Sequence, residues 1–394
     1  MKKIVALLLF SFGAYTLQAQ TFIQAYQNRA NQVTQTNITT LLQEFGNLGV
    51  KTTGSALNTS ALDWLKNKYL SYGYTASQMV EDPFTFTYQG NSISSKNLVI
   101  TKMGTVYPNT YVIICGHYDT LNGPGVNDNG SGTSIILEAA RILKDIPTEY
   151  SIKFIHFSGE EQGLFGSSHY ANNVAYQADN RVLDIKLVFN LDQVGGKLGN
   201  NNNTIKCERD NGGQPANNAM SNTITQQLAT CTTLYSPLQT TITSAYSSDY
   251  MPFEAKNEII TGFYENVQSP HPHTSTDTFA NVDPTYVFNI GKAAVGALQH
   301  FAVATTSILG IEEKTINKIE SVKVYPNPAK DVLHIDLPSE VKSFKVEVTD
   351  MNGRLILNKE NETKLNVSGL SKGAYLVTLK SGEQTAVRKI LIEK

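Results

Sequence analysis

The chain has 394 residues, more than one domain of ordinary size, which leaves room for a large core and a smaller module. Hydrophobic residues make up 41% and charged residues only 17%, and the formal net charge is -2. This balance argues against a basic surface that would bind nucleic acid or an anionic membrane.

The N-terminal residues predict an export signal. Lys2 and Lys3 supply a positively charged segment, a short apolar run covers residues 4–10, and a cleavage site is expected near Ala19. We therefore assign residues 1–19 to a signal peptide. The apolar run is too short for a transmembrane helix, and no later segment reaches that length.

Helical and strand-like patterns alternate between residues 36 and 303. Apolar residues recur at helical spacing in some segments, while short apolar or alternating runs in others are typical of strands. The predicted helices are 36–73, 134–143 and 287–303, and the predicted strands are 84–88, 97–101, 111–115, 151–157, 182–191 and 259–264. This alternation predicts an α/β fold whose sheet is covered on both faces.

The pattern changes near the C-terminus. Residues 305–320 are polar and patternless, which indicates a linker between a first domain at 20–304 and a second at 321–394. The second domain holds strand-like runs at 322–325, 332–335, 344–348, 355–357, 375–379 and 387–392. Turn dipeptides Asn352-Gly353 and Ser381-Gly382 lie between them. This spacing predicts a small β-sandwich.

An exported protein can form disulfides, and the chain has three cysteines. Cys115 lies in a predicted buried strand and is expected to be a free thiol. Cys207 and Cys231 could pair, but the sequence cannot show their separation and leaves this open.

Residues that could carry chemistry collect where the predicted strands of the first domain end. They are His117, Asp119, Asp128, Glu160, Glu161, Asp192, His271, His273 and Asp277. Ligands of open α/β sheets bind at the carboxyl ends of the strands. So many carboxylates would repel one another unless divalent cations were bound among them. Imidazole and carboxylate ligands suit zinc, with cobalt or manganese as alternatives.

Five motifs in this region resemble those of a known family. They are His117-Tyr-Asp119-Thr, Asn127-Asp128-Asn129-Gly-Ser-Gly, Gly159-Glu160-Glu161, Asn190-Leu-Asp192 and His273-Thr-Ser-Thr-Asp277-Thr. Together they resemble the co-catalytic di-zinc aminopeptidases, a family that includes glutaminyl-cyclase and carboxypeptidase relatives. The resemblance covers residues 37–303. It implies a doubly wound mixed β-sheet flanked by helices, the zinc exopeptidase fold.

The resemblance further implies two zinc ions per chain and a ligand set for each. His117 and Asp192 would bind one zinc. Glu161 and His273 would bind the other. Asp128 would bridge both ions, and the peptide bond that follows it would be cis.

Other residues receive supporting roles from the same resemblance. Glu160 would be the general base that takes a proton from the attacking water and passes it to the leaving amine. Asp119 would orient His117 without touching metal, and Asp277 would do the same for His273.

The roles of His271 and Tyr250 are left open by the sequence. His271 does not fit the family spacing that His273 satisfies, so we interpret it as a residue of the pocket rim or of a plain loop. Tyr250 could bind substrate by donating a hydrogen bond to the tetrahedral oxyanion, or could simply pack against Phe253.

The last seventy or so residues resemble a second family. Val324-Tyr-Pro-Asn-Pro328, the segment 370–376 and the basic pair Arg388-Lys389 are similar to C-terminal sorting domains of the type IX secretion system. This implies passage through the periplasm to the outer cell surface or the medium, with the secretion machinery as a partner. The alternative is a β-sandwich that binds carbohydrate or protein.

The sequence therefore predicts a secreted metallo-aminopeptidase that acts on the N-termini of peptides or proteins. Glutaminyl cyclase, carboxypeptidase or dipeptidase activity is the alternative on the same fold. A non-catalytic binding protein is disfavoured because the five ligands and Glu160 are all present. Neither a nucleic-acid partner nor a transmembrane segment is expected, and the preferred N-terminal residue is left open.

Overall fold

The computed structural model describes residues 20–213, 215–306, 322–337, 341–350, 354–381 and 384–393. The chain divides into two compact units, with the division between residues 307 and 308. The predicted signal peptide, most of the predicted linker and the Asn352-Gly353 turn lie outside the described residues. Among the helices of the described part, none has the length and apolar character needed to cross a membrane.

The first unit is built from helices and one large sheet. Its α-helices are α1 (Gln24–Ala30), α2 (Gln35–Asn47), α3 (Ala56–Ser71), α4 (Gly130–Leu143), α5 (Phe165–His169), α6 (Pro215–Tyr235), α7 (Met251–Glu254) and α8 (Pro284–Phe301). Its strands are β1 (Met79–Tyr88), β2 (Asn91–Lys102), β3 (Tyr107–His117), β4 (Tyr150–Phe157), β5 (Tyr176–Gln177), β6 (Asn180–Arg181), β7 (Asp184–Leu191), β8 (Thr204–Arg209), β9 (Gln239–Ser244) and β10 (Ile260–Glu265).

Eight of these strands form a mixed sheet in the order β1-β2-β4-β3-β7-β10-β8-β9. Its centre, β4-β3-β7-β10, is parallel. On either side of the centre, β2 runs antiparallel to β4 and β8 runs antiparallel to β10, and β1 runs antiparallel to β2. The register places His117 beside Phe157 and Cys115 beside Asn190. The carboxyl ends of β3, β4 and β7 therefore meet at one edge of the sheet, as expected from the sequence.

Helices cover both faces of this sheet, which confirms the doubly wound fold. Side chains alternate along a strand, so Val112 and Ile114 of β3 face one side while Ile113 and Cys115 face the other. The first side packs against α1, α2, α3, α4, α6 and α8. The second packs against the π-helical turn Tyr170–Ala175 and α7. Burial of each large apolar side chain in this way contributes about 1.5–3 kcal/mol to the free energy of unfolding.

Some elements differ from the prediction. The single helical region at 36–73 is two helices, α2 and α3, separated by a connection that includes Gly49 and Gly54, both at positive φ. The helix α6 and the strands β8 and β9 were not predicted. Cys207 and Cys231 are both buried free thiols, so the disulfide left open by the sequence is not formed.

The second unit consists of short antiparallel strands in its described residues. They are β11 (Lys323–Tyr325), β12 (Val332–Asp336), β13 (Lys345–Asp350), β14 (Leu355–Glu360), β15 (Lys364–Asn366), β16 (Gly373–Ser381) and β17 (Gln384–Ile392). They form the sheets β11-β12-β15 and β14-β13-β16-β17. Leu333 and Leu365 from one sheet share a core with Val346 and Val377 from the other, which confirms the predicted β-sandwich.

Candidate metal centre

The predicted metal ligands all lie at the carboxyl edge of the parallel strands. His117 is the last residue of β3, and Asp192 directly follows β7. Glu161 lies in the turn after β4, Asp128 between β3 and α4, and His273 between β10 and α8. Because parallel strands end together, residues far apart in sequence arrive in one place.

The distances show how Asp128 stands between the two histidines. His117 Nε2 lies 3.1 Å from Asp128 Oδ1 and 3.3 Å from Asp192 Oδ1. His273 Nε2 lies 3.0 Å from Asp128 Oδ2 and 2.9 Å from Glu161 Oε2. Each oxygen of one buried carboxylate thus faces a different imidazole, and each imidazole has a second carboxylate. This is the arrangement expected of a bridging ligand between two cations.

The donor set fits divalent metal. The Oε1 atom of Glu161 is buried and has no hydrogen-bond partner among the described residues, so a ligand in the cluster would satisfy it. Donor atoms of His117, Asp128 and Glu161 lie within 4.8 Å of one another, and so do those of His117, Glu160 and Asp192. Neither of these two groups includes His273, whose imidazole is 51% exposed. Nitrogen and carboxylate ligands of this kind suit zinc.

The electrostatics of the cluster favour bound positive charge. Burial disfavours the protonated form of His117, yet the charges of Glu160 and Asp192 outweigh it and raise the pKa of His117 well above its ordinary value. Hydrogen bonds to Asp128 and Glu161 raise the pKa of His273 to about 10. The carboxylates of the cluster thus favour bound positive charge, which divalent metal ions would supply.

Asp128 is held in place by its backbone. The peptide bond between Asp128 and Asn129 is cis, which confirms the expectation from the sequence. Asp277 accepts hydrogen bonds from the amides of Asn127 at 2.7 Å and Asp128 at 3.0 Å. Asp277 therefore positions the bridging residue, and the expectation that it would orient His273 is corrected by these contacts.

Asp119 contacts both His117 and the Glu160-Glu161 turn. The backbone carbonyl of Asp119 lies 3.1 Å from His117 Nδ1, whereas its carboxylate is 3.8 Å away. The carboxylate instead accepts the amides of Glu160 at 3.4 Å and Glu161 at 3.3 Å and the Thr53 hydroxyl at 2.9 Å. Asp119 does lie behind His117 as predicted, but the atom that contacts the imidazole most closely is a backbone oxygen.

Glu160 lies beside the ligands without belonging to the Asp128 pairings. Its carboxylate is within 4.8 Å of donor atoms of His117 and Asp192. Burial raises the pKa of Glu160 well above its ordinary value, with His117 opposing the shift and Asp192 reinforcing it. A carboxyl group with a raised pKa next to a metal cluster is suited to accept a proton and release it again.

Two tyrosines lie near the cluster, and the sequence predicts a role for only one of them, Tyr250. Tyr250 is fully buried, and its hydroxyl donates to Glu208 at 2.8 Å and accepts the Tyr246 amide at 2.9 Å. Tyr246, which the sequence did not single out, is half-buried and donates its hydroxyl to Asp192 at 2.7 Å. The tyrosine that borders the metal centre is therefore Tyr246, four residues before the predicted one.

The hydrogen bonds that His271 makes to the described residues all lie within its own loop. Its Nδ1 atom lies 2.8 Å from the Thr276 hydroxyl. This agrees with its interpretation as a residue of a loop or of the pocket rim.

Comparison with known proteins gives two matches to family models. Residues 97–298, more than half of the chain, match the model described as peptidase family M28. Residues 323–393 match the model described as a secretion system C-terminal sorting domain.

Individual relatives agree with the first match. Aminopeptidase YwaD of Bacillus subtilis is 43% identical over 104 residues, which are 26% of this chain and 22% of that protein. The matched segment thus spans well under two thirds of the relative. The structure of a zinc aminopeptidase from Bacillus subtilis superposes with a TM-score of 0.54 at 17% identity, over 73% of this chain and 96% of the other. A glutaminyl cyclase from Macrostomum lignano gives 0.62 at 15% identity, over 75% and 99%.

Proposed function

Because this chain belongs to peptidase family M28, we propose that it is a zinc-dependent aminopeptidase that removes N-terminal residues from peptides and proteins. One observation carries the proposal. Asp128 presents its two carboxylate oxygens to His117 and His273 respectively, with Glu160 close by. Such a constellation is suited to hydrolysis rather than to passive binding.

Two zinc ions are the proposed cofactors. His117 and Asp192 would hold one ion. Glu161 and His273 would hold the other, with Asp128 shared between them. When bound, zinc supplies polarisation of the scissile carbonyl and acidification of a water molecule.

The side chains of this protein would then move the proton and hold the substrate. Glu160 takes a proton from the attacking water and delivers it to the nitrogen of the leaving amine. The Tyr246 hydroxyl borders the cluster, and its one proton, donated to Asp192 in this structure, would turn to the oxyanion of the tetrahedral intermediate. Asp119 and Asp277 keep the loops that carry Glu160 and Asp128 in position.

Cyclisation of N-terminal glutamine is the second candidate, because the fold is also similar to that of a glutaminyl cyclase. The pairing of Glu161 with His273 at 2.9 Å favours hydrolysis, since it completes a second set of ligands beside that of His117 and Asp192. Cyclase relatives typically work with one zinc, so the number of ions distinguishes the two reactions.

We also propose that the protein is exported to the cell surface or the medium. The match of residues 323–393 to a secretion sorting domain supports this, with the secretion machinery as the partner of the second unit. The proposed route begins with a signal peptide at residues 1–19 and continues through the periplasm. The proposed domains are 20–304 and 321–394, joined by a linker at 305–320.

Purified protein tests the proposed activity directly. We expect about two zinc ions per chain by mass spectrometry and hydrolysis of aminoacyl-anilides with a free amino group. Anilides with an acetylated amino group should remain intact, and so should N-acetylated dipeptides. One zinc per chain with cyclisation of glutaminyl peptides would instead establish the cyclase. Cleavage of N-acetylated dipeptides would establish a carboxypeptidase.

The two tyrosines offer a matched pair of variants. Tyr246→Phe should lower kcat about 100-fold with little change in Tm, because it removes a donor at the edge of the cluster. Tyr250→Phe should cost about 1–3 kcal/mol in the free energy of unfolding, because it leaves the buried Glu208 carboxyl without its donor. Denaturant unfolding and anilide kinetics separate these effects. Equal turnover of Tyr246→Phe and the wild type would remove Tyr246 from the reaction.

A further inference from the structure

Lys206 is a cation at the border of a centre otherwise built from carboxylates. It lies on β8, directly opposite Tyr264 of β10, and its ammonium group stands 4.9 Å from the centre of the Tyr264 ring. The side chain is half-buried. In the described part of the chain no ion pair or hydrogen bond of this ammonium group is found. A half-buried cation in contact with an aromatic face can still pair with an anionic partner.

Two tyrosines connect Lys206 to the metal centre. The rings of Tyr264 and Tyr246 are in contact, with 4.7 Å between their centres. Tyr246 donates to Asp192 at 2.7 Å, and the Tyr264 hydroxyl lies 3.4 Å from Gln193 Oε1. Gln193 in turn donates to Asp128 at 3.1 Å. The aromatic pair thus forms one wall beside both sets of ligands, and Lys206 stands at its far end.

The sheet fixes the distance along this wall. Asp192 donates its amide to Phe263, so Asp192, Tyr264 and Lys206 lie in a row across three neighbouring strands. Strands are about 4.8 Å apart, which puts the backbones of Asp192 and Lys206 roughly 10 Å from each other. A lysine side chain and an acidic side chain of a substrate, reaching toward one another, can span that gap.

The nearest acidic residue of the same strand, Glu208, feels the charge of Lys206 but forms no ion pair with it among the described residues. Glu208 is buried, and its carboxyl group is bound by the Tyr250 hydroxyl. Burial raises the pKa of Glu208 to about 8, which disfavours its charged form near neutral pH. The ammonium group of Lys206, which lies against the Tyr264 ring of the aromatic wall, is therefore available to an anionic group of a substrate.

We propose that Lys206 is a specificity-determining residue that binds a carboxylate of the substrate, namely the acidic side chain of an N-terminal aspartate or glutamate. The inference rests on the proposed aminopeptidase function and names its substrate class. The aromatic wall packs against the methylene groups of such a side chain, and Lys206 pairs with its end. A free C-terminal carboxylate is the other source of the same chemistry, and the experiment separates the two.

The wild-type protein supplies the first test. Glutamyl and glutaminyl anilides have nearly the same shape and differ in one charge. We expect kcat/KM for the glutamyl anilide to exceed that for the glutaminyl anilide roughly tenfold, mainly through KM. Equal values for the two anilides would overturn the proposal without any mutation.

Variants supply the second test. Lys206→Met keeps the aliphatic contact with Tyr264 and removes the charge, so it should abolish the preference for glutamyl over glutaminyl anilide while leucyl anilide is hydrolysed as before. Lys206→Arg should keep the preference. The matched control is Lys292→Met, because Lys292 is also half-buried and lies 5.7 Å from the ring of Phe288, but on α8. Lys292→Met should leave the relative rates for glutamyl, glutaminyl and leucyl anilides unchanged.

The outcomes are separable. If Lys206→Met lowers the hydrolysis of glutamyl and leucyl anilides by the same factor, Lys206 has a structural role and the proposal is overturned. Loss of cleavage confined to N-acetylated dipeptides with a free C-terminus would assign the carboxylate to the other end of the substrate and contradict the proposed polarity. If the wild type hydrolyses no aminoacyl-anilide at all, the proposed function itself fails. Hydrolysis of leucyl anilide without any effect of Lys206 would overturn only the specificity.

Discussion

Replacement of Glu160 by glutamine is expected to remove nearly all turnover while leaving the zinc content unchanged. Glutamine has almost the same shape as glutamate but cannot accept a proton. General acid–base catalysis contributes about 10²–10⁴-fold, so kcat should fall by that factor. The Asp128 pairings with His117 and His273 do not involve Glu160, so metal binding should persist. Anilide kinetics and metal analysis of the same preparation measure both quantities.

The adjacent residue provides the contrast. Glu161→Gln changes the same functional group one position along the chain, at a carboxylate 2.9 Å from His273. It should lose zinc as well as turnover, because an amide is a poor substitute for a charged ligand. A Glu160→Gln protein with full activity would show that the base lies elsewhere. Loss of zinc from Glu160→Gln, with zinc retained in Glu161→Gln, would exchange the two roles.

Asp128→Ala is expected to release both zinc ions. Its carboxylate is the only one whose two oxygens approach both histidines, at 3.1 Å and 3.0 Å, in the described structure. Replacing a residue that only orients a metal ligand typically lowers metal affinity about 10–100-fold. Replacing a ligand shared by both ions should therefore lower zinc affinity more than about 100-fold. Dialysed variant protein should contain no zinc and show no detectable hydrolysis.

Controls make this result specific. Asp145 is a highly exposed carboxylate paired with Lys144, so Asp145→Asn should keep both zinc content and activity. Saturating zinc should not restore Asp128→Ala to wild-type activity, because the geometry of the pair is lost together with the affinity. Retention of both ions by Asp128→Ala would contradict its assignment as a shared ligand.

The fold and the gathering of polar residues at strand ends could be predicted from local patterns in the sequence, whereas the choice of five ligands among them came from the resemblance to di-zinc aminopeptidases. Continuous apolar runs such as 111–115 indicate buried parallel strands, and parallel strands bring their ends together. His117, Asp128, Glu161, Asp192 and His273 follow such strands or precede helices, and the structure does bring them together. Whether they bind metal stays a prediction.

The region between Asp192 and β10 could not be predicted, because its elements lack a clear pattern. The helix α6 is 21 residues long, yet its buried face includes Asn217, Ser221 and Thr225. These polar side chains find partners in the interior: the Ser221 hydroxyl, for example, donates to the Ile260 carbonyl. A helix whose buried face is partly polar shows no apolar stripe. The adjoining strands β8 and β9 were missed too, and with them Lys206.

The types of residue that line the site could be predicted, but the particular atoms that they contact could not. The resemblance to di-zinc aminopeptidases implied a tyrosine at residue 250 and an aspartate behind each histidine. It could not show that Tyr246 rather than Tyr250 reaches Asp192, since both lie in the same loop. Nor could it show that Asp277 binds backbone amides, because a carboxylate accepts from any donor that the fold brings to it.

The carboxylate of Asp119 has a consequence for how this site could change during evolution. It accepts the amides of Glu160 and Glu161 together, so the two glutamates are fixed to one anchor. A movement of their turn displaces both side chains at once. A natural substitution that changes the position of one glutamate is therefore expected to move the other as well. We expect Asp119 and the turn after β4 to vary as a single inherited unit, while the tyrosine wall and Lys206, anchored on other strands, diversify independently.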